Sequence, residues 1–114
     1  MDDCLFCKII RGDIPSQKVY EDEFTYAFRD IHPQAPVHVL VVSKAHVTNL
    51  TDATIFPDEI LAACLRTAAK VAQLEGISPE GYRLVSNCGK DACQSVSHLH
   101  FHVLGGRPMT EKMA

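Results

Sequence analysis

Three histidines alternate with apolar residues in His98-Leu99-His100-Phe101-His102-Val103-Leu104, near the end of the chain. Alternation is the period of a β-strand. The spacing therefore predicts three imidazoles on one face, with Leu99, Phe101 and Val103 turned into a core. Each imidazole has two nitrogens that need partners and titrates near neutral pH, so a regular triplet is not a packing solution. It could be a merely polar or metal-loving strand face, or a face that carries out acid–base or nucleophilic chemistry. A second pair, Cys4-x-x-Cys7, has the spacing of a zinc site and also that of a redox motif. The redox reading needs a preceding strand in a βαβ unit, for which the residues before Cys4 leave no room. His38, inside an apolar run, reads either as a satisfied core histidine or as part of a site. Ser95 and Asn87 read as turn residues on their own. Gly105-Gly106 ends the histidine strand and lacks the Lys and the strand-to-helix context of a phosphate loop.

The elements that must position these groups follow from patterning. Leu5, Phe6, Ile9 and Ile10 have helical spacing, and Gly12 and Pro15 stop the helix, so a short helix or turn covers 5–11. Lys18–Glu21 and Phe24–Arg29 read as a hairpin around Asp22-Glu23, with Phe24, Tyr26 and Phe28 on one face. Asp30–Pro36 is a proline-rich loop. Val37–Val42 is a buried strand carrying His38. Ser43–Ile55 is mostly loop. A long helix then starts with Pro57 in its first turn and Asp58 and Glu59 at its positive end, and Gly76 stops it. Its apolar stripe is Ile60, Leu61, Cys64, Leu65, Ala68, Val71 and Ala72. Gly81–Ser86 is a strand, Asn87–Ala92 a turn-rich connection, and the histidine strand closes the chain. Strands follow one another without alternating helices, which predicts an α+β domain with a five-stranded, mostly antiparallel sheet, one long helix and a short N-terminal helix.

The 114 residues suffice for one domain, 1–114, with a modest core. A formal charge of −3 argues against general nucleic-acid binding, and no apolar run is long enough to cross a membrane. Five cysteines, an odd number, with an acidic rather than basic start at Met1-Asp2-Asp3, point away from a disulfide framework and toward a reducing, cytoplasmic setting.

The triplet and its surroundings resemble the histidine triad family, closest to its nucleotide-binding branch. The resemblance runs from Cys4 to Met109 through Lys8-Ile9-Ile10, Ile14-Pro15, Asp30-Ile31, Pro33-Gln34-Ala35-Pro36, Gln94-Ser95-Val96 and Val103-Leu104-Gly105-Gly106-Arg107. It implies the HIT-like fold and a homodimer joined through the long helix and a neighbouring strand. It implies a hydrolase of purine nucleoside 5′-phosphoramidates working through a nucleotidyl-histidine, with a purine nucleotide as ligand. His100 would be the nucleophile, His102 a donor to the phosphate, His38 a further histidine beside it, and Ser95 a helper of the leaving group. Asp30 would hold the ribose hydroxyls. Leu5, Phe6, Ile9, Phe28 and Ile31 would form the slot for the base, with Asn87 and Gln94 as polar positions near the nucleotide. It further implies a structural zinc on Cys4, Cys7, His46 and His98, and no organic cofactor.

Two places depart from the family pattern. Cys93 stands where glycine is common, and Pro108–Ala114 replaces a tail that usually carries tryptophan, a residue this chain lacks altogether. Leaving-group preference is therefore open. A dinucleoside polyphosphate hydrolase and a nucleotide-binding interaction protein with incidental catalysis are the alternatives. Cys64 is expected in the helix core, and Cys88 and Cys93 as free thiols.

Overall fold

The computed structural model describes residues 3–113; the acidic start at Met1-Asp2 and the final Ala114 lie outside the described residues. Helix α1 spans Leu5–Arg11. The Cys4 side chain accepts the Cys7 N–H at its start, and Gly12 closes it in the left-handed region at φ +84°. Seven residues are too few to hold a helix alone. Phe6 and Ile9 hold it by packing against Tyr26, Phe28, Leu40 and Val42.

Strands β1 (Lys18–Glu21) and β2 (Thr25–Arg29) form the expected hairpin. Asp22 shapes its turn by accepting the backbone N–H groups of Phe24 and Thr25 through Oδ1. Phe24 falls just outside β2. Strand β3 (Val37–Ser43) pairs with β2 and, on its other edge, with β5 (His100–Gly105); β4 (Tyr82–Val85) pairs with β5. The sheet is antiparallel throughout, in the order β1-β2-β3-β5-β4. The predicted α+β architecture is what the chain adopts.

Helix α2 spans Asp58–Leu74, with Pro57 one position earlier than expected, at the cap. The expected stripe is corrected at one place. Leu65 is about half exposed, and Thr67 is buried instead, its hydroxyl 2.7 Å from that of Thr25 on β2. The helix covers one face of the sheet, where Val39, Val41, Phe101 and Val103 pack with Cys64, Ala68, Val71 and Ala72. The opposite face carries Leu40 and Val42 on β3 and their cross-strand partners His102 and His100 on β5. On β5, strict alternation thus sends hydrocarbon toward α2 and imidazole toward α1.

A further boundary differs from expectation. His98 precedes β5 rather than belonging to it. The partner strand β3 ends at Ser43, and the Leu99 N–H turns to the Val47 carbonyl at 2.6 Å, so no ladder is available there. Past β5, the tail is tied to β4 by Arg83, which donates to the Thr110 carbonyl at 2.7 Å.

Candidate active site and metal centre

Four of the chain's histidines sit at the β3–β5 seam, and their partners define where their protons are. His100 is buried. Its Nδ1 lies 2.7 Å from the His98 carbonyl oxygen, which can only accept, so Nδ1 carries the proton and Nε2 keeps its lone pair. Burial pushes the His100 pKa below the usual imidazole value, keeping the ring neutral at pH 7. The edge of Phe6 packs on this ring at 5.1 Å between centroids.

His102 lies one pleat further along β5, and His38 faces it from β3. His38 Nδ1 accepts the Gln34 N–H at 3.0 Å, so the proton of neutral His38 is on Nε2. That Nε2–H points at His102 Nδ1, 2.8 Å away, which leaves the His102 proton on Nε2. Burial, with the neighbouring imidazoles, pushes the His102 pKa down to about 4. Asp30 Oδ2 lies 3.4 Å from His38 Nε2, while its Oδ1 accepts the His32 N–H at 2.8 Å.

These groups open on a cavity of about 320 Å³. His100, His102, Asp30 and Ser95 line its polar end, and Leu5, Phe6, Ile9, Phe28 and Ile31 its apolar walls. The resemblance therefore named residues that the fold brings together. Ile31, at 85% exposed, forms a rim rather than a wall. Sequence reading missed Ile14, Leu40 and Val96 in the lining. Leu40 was findable, since it alternates with His38 and Val42 on one strand face.

Three expected residues are placed differently. His38 lies behind His102 and not in the cavity lining. Gln94 braces the preceding loop: its Oε1 accepts the Gly89 N–H at 2.9 Å, and its Nε2 donates to the carbonyls of Thr48 and Val96. Asn87 is half-buried outside the lining. Cys93 sits beyond Gln94 at φ +61°, the sole non-glycine residue with positive φ among the described residues.

A separate cluster joins α1 to the start of β5. Cys4, Cys7, His46 and His98 place one donor atom each within 4.8 Å of one another. His98 Nε2 donates to the Ser43 carbonyl at 2.7 Å, so Nδ1 is bare, and it lies 3.3 Å from Cys4 Sγ and 3.6 Å from Cys7 Sγ. His46 Nδ1 lies 3.4 Å from Cys7 Sγ. A zinc tetrahedron with bonds of about 2.3 Å to sulfur and about 2.0–2.1 Å to nitrogen has sulfur–nitrogen edges of roughly 3.5 Å, so the set fits such an ion closely. A carbonyl orienting the ligating histidine is the usual outer partner of a metal site. Burial and the adjacent Cys4 push the Cys7 thiol up, a penalty that a cation between the sulfurs would reverse. Asp30, His38 and His102 also gather within 4.8 Å. The two nitrogens there are only 2.8 Å apart with a proton between them, too close for the ~3.3 Å edge of a tetrahedral ion. All five cysteines are free thiols; Cys64 lies in the helix core, where burial pushes its pKa up to about 12.

Comparison with known proteins agrees with this geometry. The family described as HIT domain matches residues 11–109. A purine nucleoside phosphoramidase of Escherichia coli (strain K12) is 42% identical over 113 residues, covering 99% of this chain and 95% of that enzyme. A 14 kDa zinc-binding protein of Zea mays is 50% identical over 107 residues, covering 92% of this chain and 83% of that protein. The structure of a HIT family hydrolase from Clostridium thermocellum superposes with a TM-score of 0.96 at 46% identity, covering 100% of this chain and 99% of that one. The family match over residues 11–109, the identity with these relatives and a fold superposing over the whole chain show that this chain belongs to the HIT domain family, as a hydrolase.

Proposed function

We propose that the protein hydrolyses purine nucleoside 5′-phosphoramidates through a covalent intermediate on His100. The observation that carries this reading is the His100 Nδ1–H bond to the His98 carbonyl, which leaves Nε2 of this cavity-lining ring unprotonated. Nε2 attacks the α-phosphorus, the bond from phosphorus to the bridging nitrogen breaks, and the amine departs with a proton. Ser95, exposed at the cavity edge, is the candidate to pass that proton. Water then attacks the phosphorus as its bond to His100 Nε2 breaks; a proton from the water restores the Ser95 relay, the nucleoside monophosphate departs and the lone pair returns to His100. His102 donates its Nε2–H to the phosphate oxygens where charge develops. Asp30 accepts from the ribose hydroxyls, and the apolar walls take the flat base. The phosphoramidase among the relatives supports the substrate class.

We further propose one zinc ion on Cys4, Cys7, His46 and His98, supported by the donor geometry and by the zinc-binding relative. Bound there, zinc would be structural, tying the N-terminal segment to the start of β5.

The test is mass spectrometry of protein quenched during turnover of adenosine 5′-phosphoramidate, beside a dinucleoside polyphosphate as competing substrate. A nucleotidyl adduct on His100 and faster phosphoramidate turnover are expected. His100→Ala should abolish turnover and still bind the monophosphate. Wild-type turnover by His100→Ala, or no adduct under any quench, would overturn the mechanism.

A further inference from the structure

The pair Gly106-Arg107 directly follows β5, yet nothing in the chemistry above uses it. It is packed against the loop between β2 and β3. Gly106 has φ +96°, and a Cβ on it would come within 2.9 Å of the Pro36 Cβ, so only glycine lets the chain turn this closely against the Pro36 ring. Arg107 then donates from Nη2 to the Gln34 carbonyl at 3.0 Å. Gln34 is the residue whose N–H bonds His38 Nδ1 at 3.0 Å, and its side chain donates to the His32 carbonyl at 3.1 Å. One residue, held from both sides, thus bonds His38 Nδ1 and, together with Asp30 Oδ2 at 3.4 Å from Nε2, sets which nitrogen of His38 carries the proton. That choice passes through the 2.8 Å contact to His102.

We propose that Arg107 is a positioning residue that fixes the tautomers of His38 and His102. Its grip on Gln34 keeps the Gln34 N–H aimed at His38 Nδ1, which holds the His38 proton on Nε2 and the His102 proton on its cavity-side Nε2. Without the grip, His38 can carry its proton on Nδ1, and His102 then takes the opposite tautomer and presents an acceptor to the phosphate. No proton is gained or lost, only its place along the relay. The consequence for turnover rests on the donor role of His102 proposed above; the tautomer assignment does not.

Arg107 is exposed, so its replacement leaves the core untouched. The experiment is a long-range proton–nitrogen NMR spectrum of protein labelled in its histidine rings, recorded for wild type, Arg107→Ala and Arg107→Lys. Wild type should show His38 and His102 each protonated on Nε2 alone. Arg107→Ala should show both tautomers for both rings, with unchanged melting. Its kcat should fall about two- to tenfold, the weight of one hydrogen bond, while KM stays near wild type because the base slot and Asp30 are intact. Arg107→Lys, which can still donate to the carbonyl, should restore a single tautomer. Ring spectra of Arg107→Ala identical to wild type would overturn the proposal whatever the turnover does. Mixed tautomers with full turnover would sustain it and instead overturn the donor role of His102.

Discussion

Burial, with the neighbouring imidazoles, pushes the His102 pKa down to about 4, so in the proposed mechanism it serves as a neutral hydrogen-bond donor and not as a cation. Removing one donor aimed at developing charge costs about 2.7–4 kcal/mol of barrier, so His102→Ala should lower kcat roughly a hundred- to a thousandfold. Steady-state kinetics checks this, and a loss below threefold would remove His102 from the proposed mechanism. Cys93 illustrates a different residue-level effect. Its left-handed backbone costs an L-residue about 1–2 kcal/mol, and glycine avoids that cost while gaining roughly 0.5–1 kcal/mol of unfolded-state freedom. Cys93→Gly should therefore stabilise the fold by up to about 1 kcal/mol, read as a higher urea midpoint at an unchanged slope. Cys93→Ala, which keeps the strain, should not.

Helix α1 is the element whose stability depends most on what surrounds it. It is short; it supplies Phe6, packed on the rings of His98 and His100, and Cys7, while its cap Cys4 supplies the second thiol of the Cys/His cluster. Metal binding at that cluster would therefore fasten the wall of the cavity and the residue whose carbonyl orients His100. Elemental analysis should find about one zinc per chain. Cys4→Ala should lose the metal and lower the melting temperature first, with a smaller loss of activity, since no cysteine lines the cavity. Metal-free wild-type protein with unchanged melting and full activity would refute a structural zinc.

Across the whole molecule, the sheet leaves β4 as an edge strand with Tyr82 40% exposed, and α2 shows Leu65 and Leu74 to solvent. An unpaired edge and exposed apolar side chains beside a modest core suit association with a second copy. A two-fold homodimer is the proposal, since one self-complementary patch then covers both edges. Light scattering at micromolar concentration should give twice the chain mass of 12.6 kDa, and a monomer would refute it.

Much of this architecture was legible in the sequence because it rests on local periodicity. Alternation in Val37–Val42 and His100–Leu104 sets which side chains share a face whatever the strands pair with. The spacing of three and four after Pro57, the glycine at Gly76 and the run of strands without helices between them are equally local. The histidine triplet and the cysteine pair announced chemistry by residue type alone, and the family resemblance told which residues would meet. Only the tertiary structure decided the rest, because it depended on groups distant in sequence. His98 leaves the strand because β3 has already ended at Ser43. Gln94, polar and next to Ser95, is spent on three backbone groups and does not face the cavity. Leu65 yields its buried place to Thr67 because a threonine on β2 offers that hydroxyl a partner. The protonated nitrogens of His38, His98, His100 and His102 follow from the carbonyls, the backbone N–H and the neighbouring ring that the fold sets beside them. Periodicity could place those rings on one face, but it could not say which nitrogen would be free to react.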